Sequence, residues 1–143
     1  MSKGNTFESD VLDLILNGTP IANIADNAAS SPLANLYVSL HTADPGEGGS
    51  QTTSELSYTG YARQAVSRGG SGWTGSGNSR SPAAEISFPV STGGAGGTIT
   101  HFAVGTAVSG TGKILYSGAL NVSIAVSSGV QPKLSTATTI TED

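Results

Sequence analysis

The sequence predicts a mainly β fold, an antiparallel β-sandwich of jelly-roll type with about eight strands and a short N-terminal helix or arm. From residue 33 onward apolar residues recur with period two, as at Leu36, Val38 and Leu40, which is the spacing of a half-buried strand. The chain also holds 20 glycines and 6 prolines in 143 residues, so its extended runs are short and turns are frequent. Helical spacing is confined to the start, where Phe7, Val11, Leu14 and Ile15 fall on one stripe.

Taken in order, the stripe predicts a helix over residues 6–16. Thr6 is placed to cap it, Glu8 and Asp10 sit in the first turns where the helix dipole favours negative charge, and Asn17-Gly18 supplies a left-handed stop. Residues 19–31 carry Ile21, Ile24, Ala25 and Ala28, a weak helical spacing that reads as a second short helix or an ordered arm ended by Pro32. Strands are expected at 36–40, 61–66, 84–88, 98–104, 113–116, 119–126, 130–134 and 138–141. Glycine-rich connectors separate them at 45–51, 69–77, 93–97 and 109–112. Long crossing connections such as 44–58 alternate with tight ones, which suits Greek-key winding better than a meander. The expected division is an N-terminal helix and arm, residues 1–32, and a jelly-roll domain, residues 33–143.

Composition narrows the function. Only 11% of residues are charged and the net charge is −4, so there is little basic surface with which to release counterions from nucleic acid. With no cysteine, disulfides and thiolate metal sites are excluded. No run of 18 apolar residues offers a membrane-spanning helix, and the apolar stretch 11–16, broken by Asp13, is too short for the core of a signal peptide.

Catalytic patterns are weak. Ser39, His41 and Asp44 can be drawn as a nucleophile, base and acid, but no G-x-S-x-G elbow supports them, and His41 and His101 read better as structural residues beside strands. His41, Asp44 and Glu47 form no recognised metal-ligand spacing. Gly110-Thr-Gly-Lys113 looks like a phosphate loop, yet Ala107 stands where its first glycine belongs and Ile114 where a metal-binding hydroxyl belongs, so a turn is expected. No catalytic residue, metal or cofactor follows. Tyr58 and Trp73 stand in polar, glycine-rich settings where an amphipathic ring can anchor a partner.

The stretches Leu12-Asp-Leu-Ile-Leu-Asn-Gly18, Asn35-Leu-Tyr-Val-Ser-Leu-His-Thr-Ala-Asp-Pro-Gly46 and Ser57-Tyr-Thr-Gly-Tyr-Ala-Arg63 resemble a family of small tailed-phage virion proteins. The likeness continues through Gly72-Trp73, Ile86-Ser-Phe-Pro89, Thr100-His-Phe-Ala-Val-Gly105 and Ile114-Leu-Tyr-Ser-Gly-Ala-Leu120, and so covers most of the chain. Within it, the nearest pattern is the jelly-roll capsid cement (decoration) protein of a short-tailed phage. That resemblance implies a non-enzymatic structural protein, made in the host cytoplasm, that binds the outer surface of an HK97-type capsid and cements neighbouring subunits.

On this reading the partners are the major capsid protein and further copies of the chain, as a dimer or trimer, with no nucleic acid and no membrane. Phe7, Val11, Leu14 and Ile15 are expected to dock on the capsid or to cover the core, and Tyr58, Arg63 and Trp73 to make subunit contacts. The alternative is a tail-fibre or receptor-binding module that stacks host carbohydrate on Tyr58, Tyr61 or Trp73. A hydrolase using His41 or His101 is the third and least supported reading.

Overall fold

The computed structural model describes residues 5–21 and 32–142. Its elements in chain order are α1 (Asn5–Leu12), a π-helical turn (Asp13–Asn17), β1 (Asn35–His41), β2 (Gln64–Ser67), β3 (Trp73–Thr74), β4 (Ser79–Pro82), β5 (Ile86–Ser87), β6 (Gly97–Gly105), β7 (Ile114–Val126), β8 (Lys133–Leu134) and β9 (Ile140–Thr141). The mainly β, antiparallel class with one short N-terminal helix is the class expected. Most of the second expected helix, with Ile24, Ala25 and Ala28, lies outside the described residues.

The chain divides into two compact units. Unit one gathers three separated stretches, Met1–Asn35, Val66–Glu85 and Ser135–Asp143. Its sheet has the order β3-β4-β9, with Trp73 opposite Pro82 and Arg80 opposite Ile140. β3 and β4 fall in or beside a stretch expected to be a glycine-rich connector. β4 is mostly polar and ends on a proline, so it lacks the β-branched run by which a strand is recognised.

The helix presents a different face from the one its spacing predicts. Glu8, Leu12 and Leu16, four residues apart, are buried, whereas Phe7 is 42% exposed and Val11, Leu14 and Ile15 are half-buried. The cause lies across the unit: buried Arg80 of β4 donates to the Asp13 carboxylate and to Ser9 Oγ, which turns the side of the helix bearing residues 9 and 13 inward. The π turn, with i→i+5 bonding in place of i→i+4, then breaks the α-helical stripe beyond residue 12. Gly18 closes the helix in the left-handed conformation (φ 68°), and the N–H groups of Gly18 and Thr19 both donate to the Asp13 carbonyl.

Unit two comprises Leu36–Ala65 and Ile86–Leu134. In its main sheet β1, β6 and β7 lie side by side in that order, and the β1–β6 and β6–β7 pairs are antiparallel. β5 and β8 form a separate antiparallel pair. Leu36, Val38 and Leu40 of β1 and Ile99, Phe102 and Val104 of β6 are buried. These runs are legible as strands because branched and aromatic side chains pack well on a pleated surface. The two strands expected at 113–116 and 119–126 are one continuous strand, β7, whose register slips against β6: Ile99 pairs with Ile124 and His101 with Ala119, so residues 120–123 stand opposite Thr100 alone.

Candidate functional site

The polar side chains of unit two collect beside β1. His41 is fully buried, with Nε2 2.9 Å from Ser39 Oγ and Nδ1 2.8 Å from the Thr53 carbonyl. A carbonyl accepts only, so Nδ1 carries the proton and Nε2 accepts from the serine hydroxyl. The serine–histidine contact drawn from the sequence is therefore real, but Ser39 is itself fully buried and the histidine is oriented by a backbone carbonyl. Asp44 lies elsewhere, exposed, and accepts the Gly46 N–H in its own turn. Both ring nitrogens of His41 being occupied, no lone pair remains for a metal. Burial holds the imidazole below its ordinary pKa, with Arg63 and His101 acting in the same direction and the Thr53 carbonyl and Glu55 opposing.

Next to it Arg63 and Glu55 form a bidentate ion pair, Nε to Oε1 at 2.7 Å and Nη2 to Oε2 at 2.8 Å. The same guanidinium donates to the carbonyls of Ala107 and Gly110, so the hydrogen bonds to Glu55 raise its pKa despite burial. This also decides the Gly110–Lys113 segment: a carbonyl of the turn faces a cation, the reverse of a loop whose amides cradle phosphate. Tyr61 Oη donates to Glu55 and accepts the Leu40 N–H, and its ring stacks on Phe88. Burial raises the Tyr61 pKa strongly.

Gln51 fastens the same region from the other side. Fully buried, its side-chain amide donates to the Tyr37 carbonyl and accepts the Ala107 N–H. It lies against Gly105 and Gly112, at either of which a Cβ would collide with it, so these two glycines are required by close approach. No sequence pattern marks Gln51; only the glycines at 105 and 112 hint at something packed against backbone.

The expected contact residues are distributed as follows. Tyr58 is 6% exposed, edge-on to Tyr61 and donating to the Pro89 carbonyl, while Trp73 in unit one is 2% exposed. Arg63 is enclosed by the partners just described. All three side chains are buried within their own units. Burial also raises the Tyr58 pKa.

In unit one, Arg68 donates to the Leu14, Ile15 and Leu33 carbonyls. It thereby satisfies carbonyl groups at the C-terminal end of the helix, where a cation is also favoured by the dipole. A cleft of about 370 Å³ in unit two is lined by Asp44, Gly46 and Glu47 on one side and by Ile114, Leu115 and Ser117 of β7 on the other. Beside it Ser50 bridges Lys113 and the Gln51 N–H donates to the Gly112 carbonyl, so this loop borders the start of β7.

A family model described as podophage GP4 fiber I protein gp80 matches residues 3–141. No curated protein matches the sequence.

Proposed function

The chain belongs to the podophage GP4 fiber I protein gp80 family, and from that premise we propose that this phage virion structural protein is a non-catalytic building module of the fibre of a short-tailed phage. The observation that carries the reading is the extent of the match, which spans both compact units. The geometry agrees with a mechanical part. Ser39, His41, Glu55, Arg63 and Gln51 bond one another or backbone inside the fold, where they brace loops, and His41 and Ser39 have no exposed atom with which to meet a substrate.

The fibre reading displaces capsid cementing as the better supported role, because the family description names a fibre protein. It rests on assembly, not on sugar stacking, since Tyr58 and Trp73 are closed to a carbohydrate ring. Immunogold labelling of purified particles tests it. Gold at the tail is the expected result; gold over the heads at high copy number would restore the cement role with the major capsid protein as partner, and absence from particles would end both.

A further inference from the structure

We propose that Asn17 is a modification site gated by folding: the folded chain protects its side-chain amide, whereas in the unfolded chain the Gly18 nitrogen converts that amide to a carboxylate, which unit one does not accommodate. Asn17-Gly18 is the only Asn-Gly pair in the sequence. With no side chain on the following residue, its backbone nitrogen meets least hindrance in approaching the asparagine side chain. The step needs only water. The Gly18 nitrogen bonds to Asn17 Cγ, the Cγ–Nδ2 bond breaks, and Nδ2 leaves as ammonia with the proton that Gly18 gives up. Water then opens the resulting five-membered imide at one carbonyl or the other, giving aspartate or an isoaspartate whose main chain runs through the side chain.

In the folded chain Asp13 engages both reacting groups. Asn17 ends the π-helical turn, and the N–H of Gly18, at φ 68°, donates to the Asp13 carbonyl. Asn17 Nδ2 donates to Asp13 Oδ1 at 2.9 Å. A carboxylate only accepts, so this orientation of the amide is the required one. Closing the imide would break both hydrogen bonds and undo the left-handed stop at Gly18, so the reaction waits for local opening.

The product fits the position worse than the amide does. In aspartate the donor Nδ2 becomes an acceptor oxygen, which would face Asp13 Oδ1 at hydrogen-bond distance with no proton between them. Asn17 Oδ1 is already buried without a hydrogen-bond partner among the described residues, so neither oxygen of a carboxylate here would find a donor. The two described cations that reach this helix are engaged. Arg80 gives Nε and Nη2 to Asp13 and Nη1 to the Gly77 and Ser79 carbonyls, and Arg68 serves the Leu14, Ile15 and Leu33 carbonyls. Negative charge is also disfavoured by the dipole at a helix C-terminal end. Isoaspartate adds a carbon to the main chain just where the Gly18 and Thr19 N–H groups reach the Asp13 carbonyl.

The test is peptide mass spectrometry of the purified full chain held in mildly alkaline buffer, folded in one sample and unfolded in urea in the other. Conversion at residue 17 should be at least about tenfold slower in the folded chain. In urea, Gly18→Val should slow it, and Asn78, which precedes Ser79, should lag behind it. Asn17→Asp reproduces one product, and Asn17→Ser removes the amide without adding charge. The first should raise the unfolding equilibrium constant at least about tenfold over the second; failure of Asn17→Asp to fold where Asn17→Ser folds supports the proposal equally. Equal conversion rates in the two samples, no conversion in urea, or an Asn17→Asp chain as stable as Asn17→Ser would each overturn it. These readouts use purified chain alone, so they stand or fall separately from the location of the protein in the virion.

Discussion

Arg63 and Glu55, eight positions apart in a segment with no regular structure between them, meet fork to fork with side chains 3% and 15% exposed. The same cation ties down the 107–110 turn through two carbonyls, so one guanidinium holds two loops of unit two in fixed relation.

Arg63→Ala is expected to destabilise the protein by about 3–5 kcal/mol, because it leaves the Glu55 carboxylate buried without its counter-charge. Replacing both partners with apolar residues, Arg63→Met with Glu55→Leu, should cost less than the single change. Urea denaturation of both variants measures this; equal or greater loss in the double variant would mean that the pair contributes net stability beyond avoiding a stranded charge.

Acid should weaken the fold through His41. Burial depresses its folded-state pKa below the ordinary 6.5, so the unfolded chain takes up the proton first. Its contribution is therefore complete above pH 6.5 and lost as pH falls through that value toward the lower folded-state one. Unfolding free energies collected from about pH 7.5 to 5 should decline with acidity, and His41→Gln should flatten that decline, over and above any constant offset from the lost hydrogen bonds. An unaltered slope would assign the acid sensitivity to the carboxylates.

The inward face of the helix can be checked by paired truncations. Leu16→Ala removes a fully buried side chain and should cost about 2–5 kcal/mol, whereas Phe7→Ala, at a largely exposed position, should cost under about 1 kcal/mol. The reverse ranking would reinstate the face that the sequence spacing suggested.

Arg68→Gln is expected to loosen the helix end locally. Losing a cation that serves the Leu14, Ile15 and Leu33 carbonyls should cost about 1.5–3 kcal/mol and speed amide exchange in residues 12–19 while leaving β1 and β6 protected.

The parts of the fold legible in the sequence are those set by neighbours in the chain. β1 announces itself by alternation, β6 by its run of branched and aromatic residues, and the helix by its apolar spacing and its Asn17-Gly18 stop. What escaped depends on partners far along the chain. Which face of the helix turns inward is decided by Arg80, which reaches Asp13 across 67 positions. Tyr58 and Trp73 stand among glycines and serines that look like exposed loop, yet both are buried, Tyr58 edge-on to Tyr61. The serine–histidine contact was visible from its i, i+2 spacing, but its burial, and with it its structural character, was not.

Unit one draws on three separated stretches of the chain, and β9 is the last of its three strands to be made. During synthesis the helix must wait for β4, and β4 for Ile140, so this unit cannot finish folding until residue 140 has left the ribosome. Strands β1, β6 and β7 of unit two are complete once residue 126 has emerged. An order of assembly is thus written into the chain's route, with the sheet bearing β7 formed before the element that receives the helix.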